Sequence, residues 1–140
     1  MSDSELKSRV LFLQEALRKL GEIALAKKED FLAKYTLRDS ALRNFQVVIE
    51  CLTDIGNYML RRGKQKTPET RAEVFQLLCR AGHLPAELEN DLVEMARFRN
   101  LHVHTYSAVN LSYMCETLQR RLTFLKKVAA LITRVCSSRP

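Results

Sequence analysis

The run Met95-Ala96-Arg97-Phe98-Arg99-Asn100-Leu101-His102-Val103-His104-Thr105-Tyr106 gathers two arginines, an amide, two histidines and a phenol into one short segment. A guanidinium grips a phosphate through paired N–H donors. An imidazole, with an ordinary pKa of about 6.5, takes or gives a proton near neutral pH. On an unbroken helix Arg97, Asn100 and His104 share one face, and Arg99, His102 and Tyr106 share another. Either set could hold a phosphodiester, and spacing alone leaves both open. Both suit metal-free RNA cleavage, in which imidazole removes the 2′-hydroxyl proton and guanidinium offsets charge on the phosphorane. His83, alone in Gly82-His83-Leu84-Pro85, is read as an ordinary turn residue.

Those groups need a frame, and the composition supplies an all-helical one. The chain of 140 residues is 46% hydrophobic and 28% charged, with only four glycines and three prolines, which points to one all-α domain over residues 1–140. The first helix is predicted from Ser4, as cap, to about Lys28. Leu6, Val10, Leu13, Leu17, Leu20 and Ala24 form its stripe, widened by Phe12, Ala16 and Ile23. Gly21 inside that pattern is read as a close helix contact. A connector from Asp30 to Leu37 folds back as a turn of helix, with Phe31, Leu32 and Tyr35 as core plugs.

A second long helix is predicted over about Asp39–Arg62, burying Leu42, Phe45, Val48 or Ile49, Leu52, Ile55 and Met59 and stopped by Gly63. Its Glu50, Asp54 and Asn57 form a polar line, read either as a solvated face or as one wall of an active-site groove. A short helix runs from Pro68 or Thr70 to Ala81 and ends at Gly82. Pro85 opens the next helix at its first position and leads through Leu88, Leu92, Met95 and Ala96 into the polar segment. The last helix, about Leu111–Ser137, is apolar at Met114, Leu118, Leu122, Leu125, Val128, Ala129 and Ile132. The expected fold is an antiparallel bundle of four main helices plus a short one.

Twenty-three basic against sixteen acidic side chains give a net charge of +7, which favours polyanionic partners and salt-sensitive binding. Cys51, Cys79, Cys115 and Cys136 are far apart with no metal-ligand spacing, so they are read as buried hydrophobes in a reducing cytoplasm. A metal-binding four-helix bundle would need Glu-x-x-His pairs that the chain lacks. The first residues lack the pattern of a signal peptide, and charges interrupt every apolar run, so no membrane role is expected.

Arg99-Asn100-Leu101-His102-Val103-His104-Thr105-Tyr106 fits Arg-x-x-x-x-His-x-Tyr with Asn directly after Arg. Together with Met-Ala-x-Phe-Arg-Asn before it, the Gly-x-Leu-Pro helix start and Asp54-Ile55-Gly56-Asn57, this resembles the HEPN superfamily. Within that superfamily the chain resembles the HepT toxins of HepT–MntA toxin–antitoxin modules of type VII. The resemblance implies a metal-independent ribonuclease acting on tRNA or mRNA, without a cofactor. It implies Arg99 and His104 as the catalytic pair, His102 at a variable position, and Asn100, Arg97, Asp54 and Asn57 as supporting or RNA-binding groups. It also implies Tyr106 as the site at which a partner, an MntA-like minimal nucleotidyltransferase antitoxin, attaches AMP.

Arg99 and His104 lie five residues apart, about 140° out of phase on a regular helix. They converge if the helix bends or ends between them, or if a second subunit brings its own pair alongside. The resemblance implies the second route, a homodimer whose two motifs face each other, either alone or within a larger hetero-oligomer with the antitoxin. A rival reading from another class is a non-catalytic helical subunit that partners a nucleotidyltransferase.

Overall fold

The computed structural model describes residues 1–98 and 108–137. Its elements are α1 (Asp3–Ala24), α2 (Lys28–Ala33), α3 (Tyr35–Arg62), α4 (Arg71–Arg80), a 3-10 turn (Ala86–Leu88), α5 (Glu89–Phe98) and α6 (Ala108–Ser137). The all-α class is as expected, while several boundaries move. Ser2, not Ser4, caps α1: Glu5 N donates to Ser2 Oγ at 3.2 Å and Ser2 N to Glu5 Oε2 at 3.3 Å. This reciprocal box satisfies two orphan donors of the first turn, which a cap at Ser4 would not do. The same helix ends at Ala24, four residues short of Lys28, and a separate helix, α2, begins there.

Three long helices make the core. Tyr58 on α3 donates to Asp3 on α1 (3.1 Å), and Arg9 on α1 meets Asp54 on α3 at 3.0 Å, so α1 and α3 run in opposite directions. Gln119 on α6 donates to the Ala24 carbonyl at the end of α1, while Lys126 lies beside Gly21, so α6 also opposes α1. It follows that α3 and α6 point the same way. The α4–α5 hairpin between them returns the chain, and α4 packs on α3. Leu13, Leu20, Val48, Ile49, Leu52, Ile55, Phe75, Leu78, Leu92, Leu125, Val128 and Ile132 are fully buried in one continuous cluster.

The widened stripe of α1 is largely used inside the subunit: Ala16 and Ile23 are buried, while Phe12 and its neighbour Leu11 remain exposed. Phe31 is a core plug as expected, at 2% exposure, but Tyr35 is 66% exposed. Tyr35 is the first residue of α3, and of the two aromatics in this segment only Phe31 enters the core. Pro85 precedes the 3-10 turn as its cap and is not the first residue of a continuous helix; α5 proper starts at Glu89.

Helix ends show how the loops are set. At the end of α4, Gly82 has φ +83°. Gly82 N donates to Cys79 O (3.1 Å) and His83 N to Leu78 O (2.9 Å), a Schellman closure that uses the backbone of His83. At the end of α3 the same closure forms one residue later than expected. Lys64 N donates to Arg61 O (3.1 Å) and Gln65 N to Leu60 O (3.0 Å). The left-handed residue there is Lys64, φ 55°, while Gly63 has φ −80°. No described helix is both long and apolar enough to cross a membrane.

Candidate functional site

The polar line on α3 lies in a groove. Glu50, Thr53, Asp54 and Asn57 from α3, the segment Pro68–Ala72, Val74, and Ala96 and Arg97 from α5 enclose about 730 Å³. Spacing explains the α3 wall: Glu50, Asp54 and Asn57 recur at four and three residues and share a face. Within the same run Ile55 is fully buried and Gly56 faces α4. A Cβ on Gly56 would stand 2.7 Å from Val74 Cγ1 and 2.9 Å from Leu78 Cδ1. Hydrogen alone at that position lets α4 close on α3 and sets the Thr70–Arg71 wall opposite Asp54 and Asn57.

The far wall is fixed by capping. Thr70 Oγ1 accepts from Glu73 N at 3.1 Å, which starts α4 at Arg71 and puts that partly exposed guanidinium on the groove. Lys66 reaches Glu73 at 3.3 Å, tying the loop to the helix. The third wall is the last turn of α5, where Met95 and Ala96 turn into the core and Arg97 turns outward.

Charges in the groove are mixed. Glu50, Asp54 and Glu69 face Arg71 and Arg97, and Asp54 is held by Arg9 from α1, each side chain being 45% exposed. Thr53 Oγ1 donates back to Ile49 O at 2.7 Å, so its hydroxyl proton serves the helix. Such an arrangement can orient a polar ligand and hold a phosphate on its two arginines while carboxylates limit where that phosphate sits.

Of the site residues expected from sequence, the structure brings Arg97, Asp54 and Asn57 into this one groove. Arg99, Asn100, His102, His104 and Tyr106 lie outside the described residues. Arg9 and Arg71 were not foreseen. Arg71 was legible, since Thr70-Arg71-Ala72-Glu73 is a capping-box pattern that puts Arg71 at the first helical position. Arg9 was not, because its partner lies 45 positions away, on another helix.

Cys51 and Cys79 are buried and free. Burial, the larger cause at each, pushes both thiols up to about 11, so neither is a nucleophile at neutral pH. This agrees with their reading as small hydrophobes.

Across α5 and α6, Arg121 reaches Glu94 at 2.9 Å and Asp91 at 3.6 Å. These pairs join the two helices that flank the polar segment in sequence.

Solved structures share this all-α fold. The tri-AMPylated HEPN toxin of Shewanella oneidensis, solved in complex with an MNT antitoxin, superposes with a TM-score of 0.82 at 23% identity, covering 96% of this chain and 99% of that one. A toxin–antitoxin structure with AMP-PNP gives 0.81 at 22% identity, over 95% and 98% of the two chains.

The family described as Ribonuclease HepT-like matches residues 13–132. A curated relative, the mRNA nuclease HepT of Shewanella oneidensis, is 30% identical over 92 residues, 66% of this chain and 69% of the relative. The chain belongs to the HepT-like ribonuclease family, and ribonuclease is the activity class that this membership carries.

Proposed function

We propose that this protein is the toxin of a type VII-like toxin–antitoxin pair. It is a metal-independent, cytoplasmic endoribonuclease that cuts mRNA or tRNA and is silenced by AMP transfer onto Tyr106. One observation carries the reading: a member of a ribonuclease family bears Arg99-x-x-x-x-His104-x-Tyr106, which begins two residues after Arg97, and Arg97 lines the polar groove. Support for mRNA comes from the relative named an mRNA nuclease. Support for the regulation comes from the HEPN toxin solved in its tri-AMPylated form with an MNT antitoxin.

In this reading one imidazole takes the 2′-hydroxyl proton, and the freed alkoxide attacks the adjacent phosphorus. The bond to the leaving 5′-oxygen breaks as a second acid protonates it. A single chain offers one motif imidazole, His104, for two proton tasks. A homodimer supplies two, with two copies of Arg99 to offset phosphorane charge. Asp54, Asn57, Asn100 and Arg97 hold the strand in the groove. Tyr106 has a phenol of ordinary pKa about 10 and is a poor nucleophile at neutral pH, so an MntA-like nucleotidyltransferase must activate it against ATP. The resulting phosphodiester adds a negative charge two residues from His104 and competes with RNA for the arginines.

The test is incubation of the pure protein with total RNA, beside Arg99→Ala, His104→Ala and His102→Ala. Loss of at least about a hundredfold is expected for the first two, with most activity kept in the third. Equal loss for His102→Ala and His104→Ala overturns the assignment. Absence of cleavage by the wild type leaves the non-catalytic partner subunit as the answer. Intact mass after treatment with the antitoxin and ATP should rise by adenylyl units, and Tyr106→Phe should lower the number gained.

A further inference from the structure

Beyond Glu116 the chain contains no aspartate or glutamate, yet it carries Arg120, Arg121, Lys126, Lys127, Arg134 and Arg139. Most of the excess positive charge therefore sits on α6 and its end. Arg121 is committed to Glu94 and Asp91. Lys126 and Arg134 have no carboxylate partner among the described residues. They line a second groove of about 420 Å³ between α1 and α6, with Gln14, Leu17, Ala129, Ala130 and Thr133. It shares no lining residue with the groove at the end of α5.

This groove has a single sign. No carboxylate lines it, and the nearest acids on α1 are already taken, since Arg18 bridges Glu15 and Glu22. Its floor, Leu17 and Ala129, is apolar and buried. Gly21 leaves room on α1 for the ammonium of Lys126, a Cβ there standing 3.8 Å from Nζ. The close contact expected at Gly21 is thus one with a cationic side chain. Lys126 and Arg134 are eight residues apart, about 12 Å along the helix. That separation is too wide for one phosphate to touch both near their backbones and suits successive phosphates of a strand.

We infer that the α1–α6 groove is a second RNA contact, in which Lys126 and Arg134 bind the sugar–phosphate backbone of a strand being cut elsewhere on the protein. This rests on the ribonuclease reading for the identity of the polyanion. The groove contributes affinity and no chemistry, because its cations sit beside neutral polar and apolar groups and no carboxylate or imidazole lines it. Attraction to phosphate is independent of base identity.

The probe is a fluorescent RNA oligonucleotide with 2′-O-methyl groups, which removes the nucleophile and lets binding be read without cleavage. Anisotropy titrations across salt concentrations compare the full-length wild type with Lys126→Glu/Arg134→Glu and the milder Lys126→Gln/Arg134→Gln. The reversal pair should bind roughly tenfold or more weakly, and its plot of log affinity against log salt should be shallower by about 1.4 for two lost contacts on a single strand. With unmodified RNA the same variants should raise KM and keep kcat, whereas Arg99→Ala loses kcat. Unchanged affinity and slope in both pairs overturn the inference. So does a change in oligomeric state on size exclusion, which would make this face a subunit interface. An RNA that binds with the expected slope but is never cut removes the ribonuclease reading and leaves the contact standing.

Discussion

The two grooves are built from the same three kinds of material, helix faces, arginines or lysines, and small residues, and their charge patterns differ. At the α3–α4–α5 groove, carboxylates and guanidiniums alternate, Gly56 brings two backbones together, and Arg9 reaches across to hold Asp54. At the α1–α6 groove only cations are present, and Gly21 makes space for a side chain and not for a helix. A mixed-charge groove fixes where a phosphate lies, which chemistry needs. A single-sign groove draws phosphate without choosing a place, which is enough for affinity. The first depends on tight packing; the second depends on little more than the charges on its rim.

That contrast can be broken by mutation. Gly56→Val should have the largest effect. Its side chain would collide with Val74 and Leu78, both buried without slack, and overpacking of this kind costs about 1–3 kcal/mol. Urea denaturation should show it, with the groove's activity falling alongside. A stability equal to wild type would mean α3 and α4 are not held at this distance.

Lys64→Gly acts in the other direction, on the loop that carries the chain to Pro68 and Arg71. A non-glycine residue at φ 55° carries roughly 1 kcal/mol of steric cost, and glycine relieves most of it, set against its greater freedom in the unfolded chain. A rise in thermal midpoint without loss of cleavage is expected. No gain would show that Lys64 makes compensating contacts.

Arg9→Ala should be the smallest in stability, under about 1 kcal/mol, because the pair with Asp54 is half exposed and screened by solvent. Its signature is functional: Asp54 loses its counterion, the groove becomes more negative, and KM for RNA should rise. An unchanged KM would separate Asp54 from substrate binding.

Much of the frame was readable without coordinates. Leu118, Leu122, Leu125, Val128, Ala129 and Ile132 are all buried on α6 as their three- and four-residue spacing requires. The α3 face from Phe45 to Met59 follows the same rule, except that the partly exposed Leu42 sits at its edge. Tyr35 departs from the expectation because aromatic character says a residue can fill a core, not which of two nearby aromatics enters it. Ser4 misled because one hydroxyl cap looks like another until the glutamate three residues after Ser2 is counted.

What the sequence determined by itself was the helical class, the buried faces and the polar segment with its family resemblance, because periodicity and short motifs are local properties of a chain. Which charges meet was decided only by tertiary structure. The Arg9–Asp54 pair, the approach of α4 at Gly56, the shared direction of α3 and α6 and the cationic gap beside Gly21 all depend on how helices distant in sequence cross. Steric contact acts over a few ångströms and exposed charges are screened within about 10 Å, so such contacts exist only where the fold has brought both partners together.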